Sequence, residues 1–470
     1  MKGTKLLMLA LSAAVLLGAC AENVAPPPPV EPAAEVPSPT PTPTPTPEPS
    51  PTPTPMPDVP VPAVDFSALS APRDIEADAS LPDLFTLLSG ETVETEYDYL
   101  LRLQELRDLY SYYMYGFMPD TSGEEVAYAL DGENLTVSIT KDGKTVSFDA
   151  LVALPDDSVP VPEGGYPVIL GLSSGWGGGP VGHVFQDVQY ANDQGFAVIS
   201  YNVGVIATDD SSRTGIFYDL YPYDAEDPFK QTGTLMAWGA WGSGKVIDAL
   251  ENGLGAELNV SPVNTVLTGV SRYGKAAAVG GAFEPRIKVS APACSGAGGM
   301  AMYRYDPRGA VYDFSASGGF TGTNFGAGEH LGSLQSGAEG HWFNSAFLQF
   351  QNVANIPLDQ HMLAALCGSD GRSLFIIGET DIHWTNPPGM HATFLAAQPA
   401  FEFTGAPDKI GINIHWNGHA VKLEDLEKLL PFASYHMYGT PLPFDISEAQ
   451  TTVFDLEVNR QEALDTLLGR

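Results

Sequence analysis

Two spacings of apolar residues alternate along most of this chain. The runs 167–172, 196–201, 265–268, 287–291, 373–378 and 411–415 are rich in Val, Ile, Leu and Phe, with few polar residues between them. Runs of that kind predict strands covered on both faces. Further upstream, 135–140 and 145–154 alternate or are β-rich about Lys141-Asp142-Gly143-Lys144, a hairpin signal. Apolar positions at helical spacing mark 84–109, 233–251 and 423–435. Strands alternating with helices predict a mainly parallel sheet between two helical layers, a three-layer αβα sandwich. No internal repeat is visible, so residues 64–470 are expected to form one catalytic domain.

The first 63 residues follow a different pattern. Lys2 and Lys5 precede an apolar run over 6–17, which ends in Leu17-Gly18-Ala19-Cys20. The run is too short for a good membrane span and has the layout of a secretory signal. Its ending resembles a bacterial lipoprotein signal, in which the cysteine becomes the lipid-bearing first residue. The expectation is a signal peptide over 1–19 and lipidation of Cys20. Residues 20–63, with an alternating Pro-Thr tract over 39–55, predict an extended, semi-rigid tether that packs no core. The catalytic body would then stand off a bacterial outer membrane or cell surface, with the lipid as its only membrane contact.

Charge narrows the functions further. With 22 Lys and Arg against 57 Asp and Glu, the formal net charge is −35, which argues against nucleic acid or an anionic membrane as a partner. Three cysteines, Cys20, Cys294 and Cys367, are too few for a disulfide-built scaffold. A monomer is expected.

The chemistry concentrates around Gly269-Val270-Ser271-Arg272-Tyr273-Gly274-Lys275. Here a predicted strand meets a small-residue corner and then an alanine-rich helix start. A serine at such a corner presents its hydroxyl, and the helix-start N–H groups can receive an oxyanion. The second glycine comes one residue later than in the usual G-x-S-x-G. Ester or amide cleavage also needs an imidazole and an orienting carboxylate, which in this sheet type follow in the order serine, acid, histidine. Ser271, then Asp381 with Glu379 as the alternative acid, then His419 fit that order, each just after a predicted strand. Arg272 could add a charged donor to the oxyanion site, and Lys275, one helical turn on from Ser271, could face the same pocket. Arg304 completes a local cationic set. Cys294 reads as a small buried residue rather than a nucleophile. No metal and no cofactor are needed.

These residues carry a resemblance. The motif from Gly269 to Ala277, together with Ser295-Gly296-Ala297-Gly298-Gly299, Arg304, Glu339-Gly340-His341-Trp342-Phe343, Trp384-Thr385-Asn386-Pro387 and Gly418-His419, resembles the glucuronoyl esterases of carbohydrate esterase family 15. The resemblance implies an α/β-hydrolase fold. It also implies cleavage of esters between an alcohol, such as a lignin alcohol or methanol, and the carboxyl of 4-O-methyl-glucuronic acid on xylan. Glucuronoxylan and lignin–carbohydrate esters would be the substrates. By the same resemblance Ser271 is the nucleophile, His419 the general base and acid, and Arg272 an oxyanion stabiliser. Lys275, Glu339 and Trp384 would grip the uronate ring, with Arg304 lining the pocket.

The chain departs from the fungal members in three places. Cys294 stands where they carry a glutamate, Val270 where they carry a cysteine, and Leu331 where they offer a glutamine to the sugar. Bacterial members place an acid on the later strand end, which points to Asp381 or Glu379. Two other readings remain open: an acetyl or feruloyl esterase of the same fold, and an inactive surface lipoprotein that binds glycans.

Overall fold

The computed structural model describes residues 63–174, 181–306, 312–313, 321–322, 328–380, 382–416 and 418–450. The expected signal peptide, lipidated cysteine and tether lie outside these, apart from the tether's last residue. So do Asp381 and most of the glycine-rich stretch after residue 173.

Eleven strands are present among the described residues. They are β1 (Glu125–Asp131), β2 (Asn134–Lys141), β3 (Lys144–Ala153), β4 (Tyr166–Ser173), β5 (Ala197–Asn202), β6 (Val260–Val270), β7 (Val289–Ala293), β8 (Tyr312–Asp313), β9 (Thr321–Gly322), β10 (Ser373–Glu379) and β11 (Ile410–His415). Nine of them form one sheet in the order β1-β2-β3-β5-β4-β6-β7-β10-β11, while β8 and β9 pair separately. The neighbours from β5 to β11 pair in parallel, and β1, β2 and β3 join as an antiparallel edge. This is the α/β-hydrolase architecture expected from the sequence. The hairpin turn lies at Asp142 and Gly143, with φ of 51° and 78°, the double positive φ that a tight two-residue hairpin requires.

Alternate residues of the central strands belong to two separate cores. Val168, Leu170, Leu267, Ile376 and Ile412 pack on one face; Ile169, Val266, Val289, Phe375 and Ile377 pack on the other. Both faces exclude water, so these runs carry apolar residues at every position rather than every second one. The helix Arg272–Phe283 covers the first face with Ala276, Ala277 and Val279. The helix Leu423–Tyr438 covers the second with Leu426, Leu429, Leu430 and Phe432. A Cβ on Gly239 would lie 1.8 Å from the Ala276 carbonyl oxygen, so the segment feeding β6 crosses the Arg272–Phe283 helix backbone to backbone.

Some expectations shift. Residues 84–95 are not helical, and the helix there starts at Glu96, where Thr95 and Asp98 form a reciprocal cap. The stretch 233–251 is broken into short α and wider turns that run on to Gly253, whose φ of 118° makes a kink before a last short helix, Gly255–Leu258. The strand expected over 287–291 lies two residues later. No helix among the described residues is long and apolar enough to cross a membrane.

Candidate active site

Ser271 joins β6 to the helix Arg272–Phe283 with φ 63° and ψ −125°, a conformation that costs an L-residue about 1–3 kcal/mol and persists only where the surroundings hold it. Those surroundings are visible. The Ser271 N–H donates to the Ala293 carbonyl at 3.0 Å, and the Lys275 N–H donates to the Ser271 carbonyl at 3.0 Å. The late glycine has a steric cause: a Cβ on Gly274 would lie 2.2 Å from the Ala293 oxygen. The helix's first turn is pressed onto the end of β7, and glycine is needed where they touch. The first N–H groups of that helix have no partner within it, which leaves them free to face an oxyanion.

The strand ends beside Ser271 carry the other reactive groups. Along β6, β7, β10 and β11 the row of carboxyl ends presents Ser271, Cys294, Glu379 and the loop bearing His419. His419 Nδ1 lies 2.7 Å from Glu379 Oε1, which also accepts from the Thr385 hydroxyl at 3.1 Å. Glu379 is fully buried, whereas a third of the His419 side chain is open to solvent. The first choice of acid therefore changes: the carboxylate against His419 is that of Glu379, the last residue of β10. That strand runs one residue past the expected end and buries its terminal carboxylate beside the imidazole.

The loop that carries His419 is held from behind. His415 is buried, with the Asp425 carboxylate 3.0 Å from Nδ1 and the Gly418 carbonyl 2.8 Å from Nε2. Both nitrogens face acceptors, so both carry hydrogen. Burial opposes the charge, but the Asp425 hydrogen bond and ion pairing outweigh it, and the His415 pKa lies above its ordinary value. Asp425 also accepts from Asn413 at 2.7 Å and from the Lys422 N–H at 2.8 Å.

The cationic residues divide into two sets. The Arg272 guanidinium pairs with Asp209 and lies over the Trp342 ring at 5.4 Å. Asp209 also accepts from Trp342 Nε1 at 2.8 Å and lies 3.0 Å from His341 Nε2. Burial would raise its pKa, but the bonds from His341, Trp342 and Arg272 prevail and hold it at about 2. Lys275 is buried, donating to Glu329 at 2.6 Å and to the Ser295 carbonyl at 2.7 Å, and its ammonium lies 5.6 Å from the Trp342 ring centroid. The Glu329 N–H in turn donates to the Trp384 carbonyl at 2.7 Å. Burial raises the Glu329 pKa, with Lys275 opposing. Glu339 experiences the same two cations, Lys275 and Arg272, and its Oε2 is buried with no partner.

The structure thus brings Ser271, Arg272, Lys275, Glu339, Glu379 and His419 into one region, with Trp384 tied to it through Glu329. Trp384 is 44% exposed, as an open stacking platform would be, and the His330 ring meets it edge-on at 6.4 Å. Arg304 is a correction. Its guanidinium is buried and spent on Asp359 at 3.2 Å and on the carbonyls of Leu358, Ile356 and Asp78, so it ties loops together instead of lining the pocket. Leu331 is buried in a short helical turn beside His330. Cys294 and Cys367 are both free thiols.

Four residues of this network escaped the sequence reading: Asp209, Glu329, His341 and Trp342. Asp209 and Glu329 carry no local signal, because their partners lie 63 and 54 positions away. His341 and Trp342 stand inside the Glu339–Phe343 segment quoted for the resemblance, which gave them no role.

Comparison with known proteins agrees with this geometry. The family model described as "Glucuronyl esterase, fungi" matches residues 137–405. A multidomain esterase of Ruminococcus flavefaciens is 41% identical over 409 residues, which are 85% of this chain and 51% of that protein. The chain thus spans about half the length of that relative. A 4-O-methyl-glucuronoyl methylesterase of Neurospora crassa is 32% identical over 343 residues, 72% of this chain and 76% of its own. Among solved structures, a carbohydrate esterase family 15 glucuronoyl esterase from Caldicellulosiruptor kristjansonii is similar with TM-score 0.70 and 38% identity, covering 81% of this chain and 96% of that one. A mutant glucuronoyl esterase from Sporotrichum thermophile in complex with methyl 4-O-methyl-β-D-glucopyranuronate is similar with TM-score 0.65 and 25% identity, covering 85% and 97%. With the serine corner and Glu379 inside the matched residues and His419 on the loop after β11, this chain belongs to the glucuronoyl esterase family.

Proposed function

We propose that the protein is a serine carboxylesterase that cleaves esters between an alcohol and the carboxyl of 4-O-methyl-glucuronic acid borne on xylan. One observation carries the reading. A strained Ser271 at the end of β6 shares a row of strand ends with the pair of buried Glu379 and partly exposed His419, next to the cluster of Lys275, Glu329, Glu339 and Trp384.

In this reading His419 takes the proton of the Ser271 hydroxyl as it attacks the ester carbonyl, and Glu379 fixes the imidazole's orientation through Nδ1. The tetrahedral oxyanion meets the first N–H groups of the Arg272–Phe283 helix, with the Arg272 guanidinium alongside. His419 returns the proton to the departing alcohol, and water attacks the acyl-enzyme in a second round. Lys275 and the free oxygen of Glu339 offer a donor and an acceptor to ring hydroxyls, while the Trp384 face can stack on the sugar.

The test is hydrolysis of methyl and benzyl glucuronate beside an acetyl ester of similar leaving group. Ser271→Ala should lower turnover of the glucuronates by at least about 10³-fold. Full turnover by that variant would overturn the mechanism, and cleavage of the acetyl ester alone would overturn the substrate.

We also propose that the protein is lipid-anchored outside the cell through Cys20, on the strength of the charged start, the apolar run and the Leu-Gly-Ala-Cys ending. Labelled fatty acid should enter the wild-type protein in a bacterial host and not the Cys20→Ala protein. Equal labelling of both would sink the anchor.

A further inference from the structure

Cys294 is not used by the mechanism just described, yet it lies among the reactive groups. It follows β7 directly, with a left-handed φ of 49°, and its N–H donates to the Ile377 carbonyl of β10 at 2.8 Å. This places its fully buried side chain beside Glu379, two residues further along β10. The Cys294 sulfur, a Glu379 carboxylate oxygen and a His419 ring nitrogen all lie within 4.8 Å of one another.

The valences of this cluster are not satisfied from within. Glu379 Oε1 has His419 and Thr385 as partners, but Oε2 is buried with none. The thiol donates to the Ala420 carbonyl at 3.9 Å, a weak contact at best, and faces the Glu379 carboxylate.

We propose that Cys294, Glu379 and His419 form a capture site for a thiophilic divalent cation, zinc foremost, and that filling it switches off the esterase. The inhibitory half of this rests on the function proposed above; the binding half does not. The donor set is one thiolate, one carboxylate and one imidazole, which suits zinc with a fourth, solvent position open. Tetrahedral zinc with such ligands sets its donor atoms about 3.3–3.6 Å apart. To reach that spacing Nδ1 and Oε1, now 2.7 Å apart, must separate while the sulfur, within 4.8 Å of both residues, closes in, and the partly exposed His419 gives an entry path.

The charges and protons balance. On binding, the S–H bond breaks, its proton passes to solvent, and a zinc–sulfur bond forms. Thiolate and carboxylate together then cancel the charge of the ion, so the buried site holds no net charge. The imidazole nitrogen facing the cluster is Nδ1. Coordination there leaves the ring proton on Nε2, and that nitrogen can no longer accept the proton of Ser271.

The experiment uses the recombinant full chain in metal-free buffer. Zinc should inhibit hydrolysis of methyl glucuronate, and a chelator should restore it. Magnesium and calcium, which prefer six or more oxygen ligands, should have no effect at the same concentration. Cadmium should give an ultraviolet thiolate-to-metal charge-transfer band. Cys294→Ser and Cys294→Ala, checked for folding by circular dichroism, should require at least about tenfold more zinc for half inhibition and should lose the cadmium band. Unchanged zinc sensitivity in both variants, or a cadmium band that survives in them, would overturn the proposal. If the chain proves inactive on every ester, the cadmium band alone decides the site: its presence in the wild type and loss in the variants supports it, and its absence from the wild type refutes it.

Discussion

At the scale of single residues, the acid that orients His419 is decided by where β10 stops. Gly378-Glu379-Thr380-Asp381 offers two carboxylates to any reader of the sequence, and nothing in the composition separates them. The separation is made by pairing. Glu379 is still in register with His415 on β11, so its side chain is fixed and buried against the His419 loop. Glu379→Gln should therefore reduce kcat on methyl glucuronate by about 10⁴-fold, the loss found when a triad acid is made neutral. Asp381→Asn should stay close to wild type. The reverse order of effects would move the acid to Asp381. Arg304 shows the same limit of sequence reading from the other side: a cation near the motif looked like pocket chemistry, because its partner Asp359 is 55 positions away.

Asp209 offers a second prediction at this scale. Its pKa is held down to about 2, below the ordinary value near 3.9 that the unfolded chain would show. The folded state therefore gains stability from the ionised group at pH above about 4, and loses that gain as pH falls toward about 2. Wild type should resist denaturant better than Asp209→Asn at pH 7, with the gap narrowing steadily below pH 4. A gap that is constant with pH would remove the charge from the explanation.

At the scale of elements, what could be read was what water exclusion writes into composition. The strands β4, β5, β10 and β11, and the second half of β6, are buried on both faces and were legible as apolar runs. The hairpin of β2 and β3 was legible from its Asp-Gly turn. The edge strand β1 was not, since Glu125–Asp131 alternates only between exposed and half-buried positions. The helix Pro387–Phe403 was also missed, with Pro399 inside it, although Asn386 followed by Pro387 and Pro388 is a good start signal. Near Ser271 the late glycine weakened the motif as text, and in space it marks the contact between helix and β7. The deviation from the usual spacing thus records how tightly this helix is seated.

At the scale of the whole molecule, the strong negative charge and the closed Arg272–Asp209 pair belong to the same problem, which is turnover. In the proposed reaction the ester is uncharged, whereas the uronic acid it would leave is an anion. A guanidinium already neutralised by Asp209 has little affinity left for that anion, and a chain of net charge −35 repels it on the way out. The product glucuronate should consequently inhibit wild type weakly. It should inhibit Asp209→Asn more strongly, with the difference shrinking as salt is added; equal inhibition of the two proteins would refute this. In the proposed reaction the acidic partner of Arg272 would thereby act as a release device, loosening the arginine's hold on the charged product.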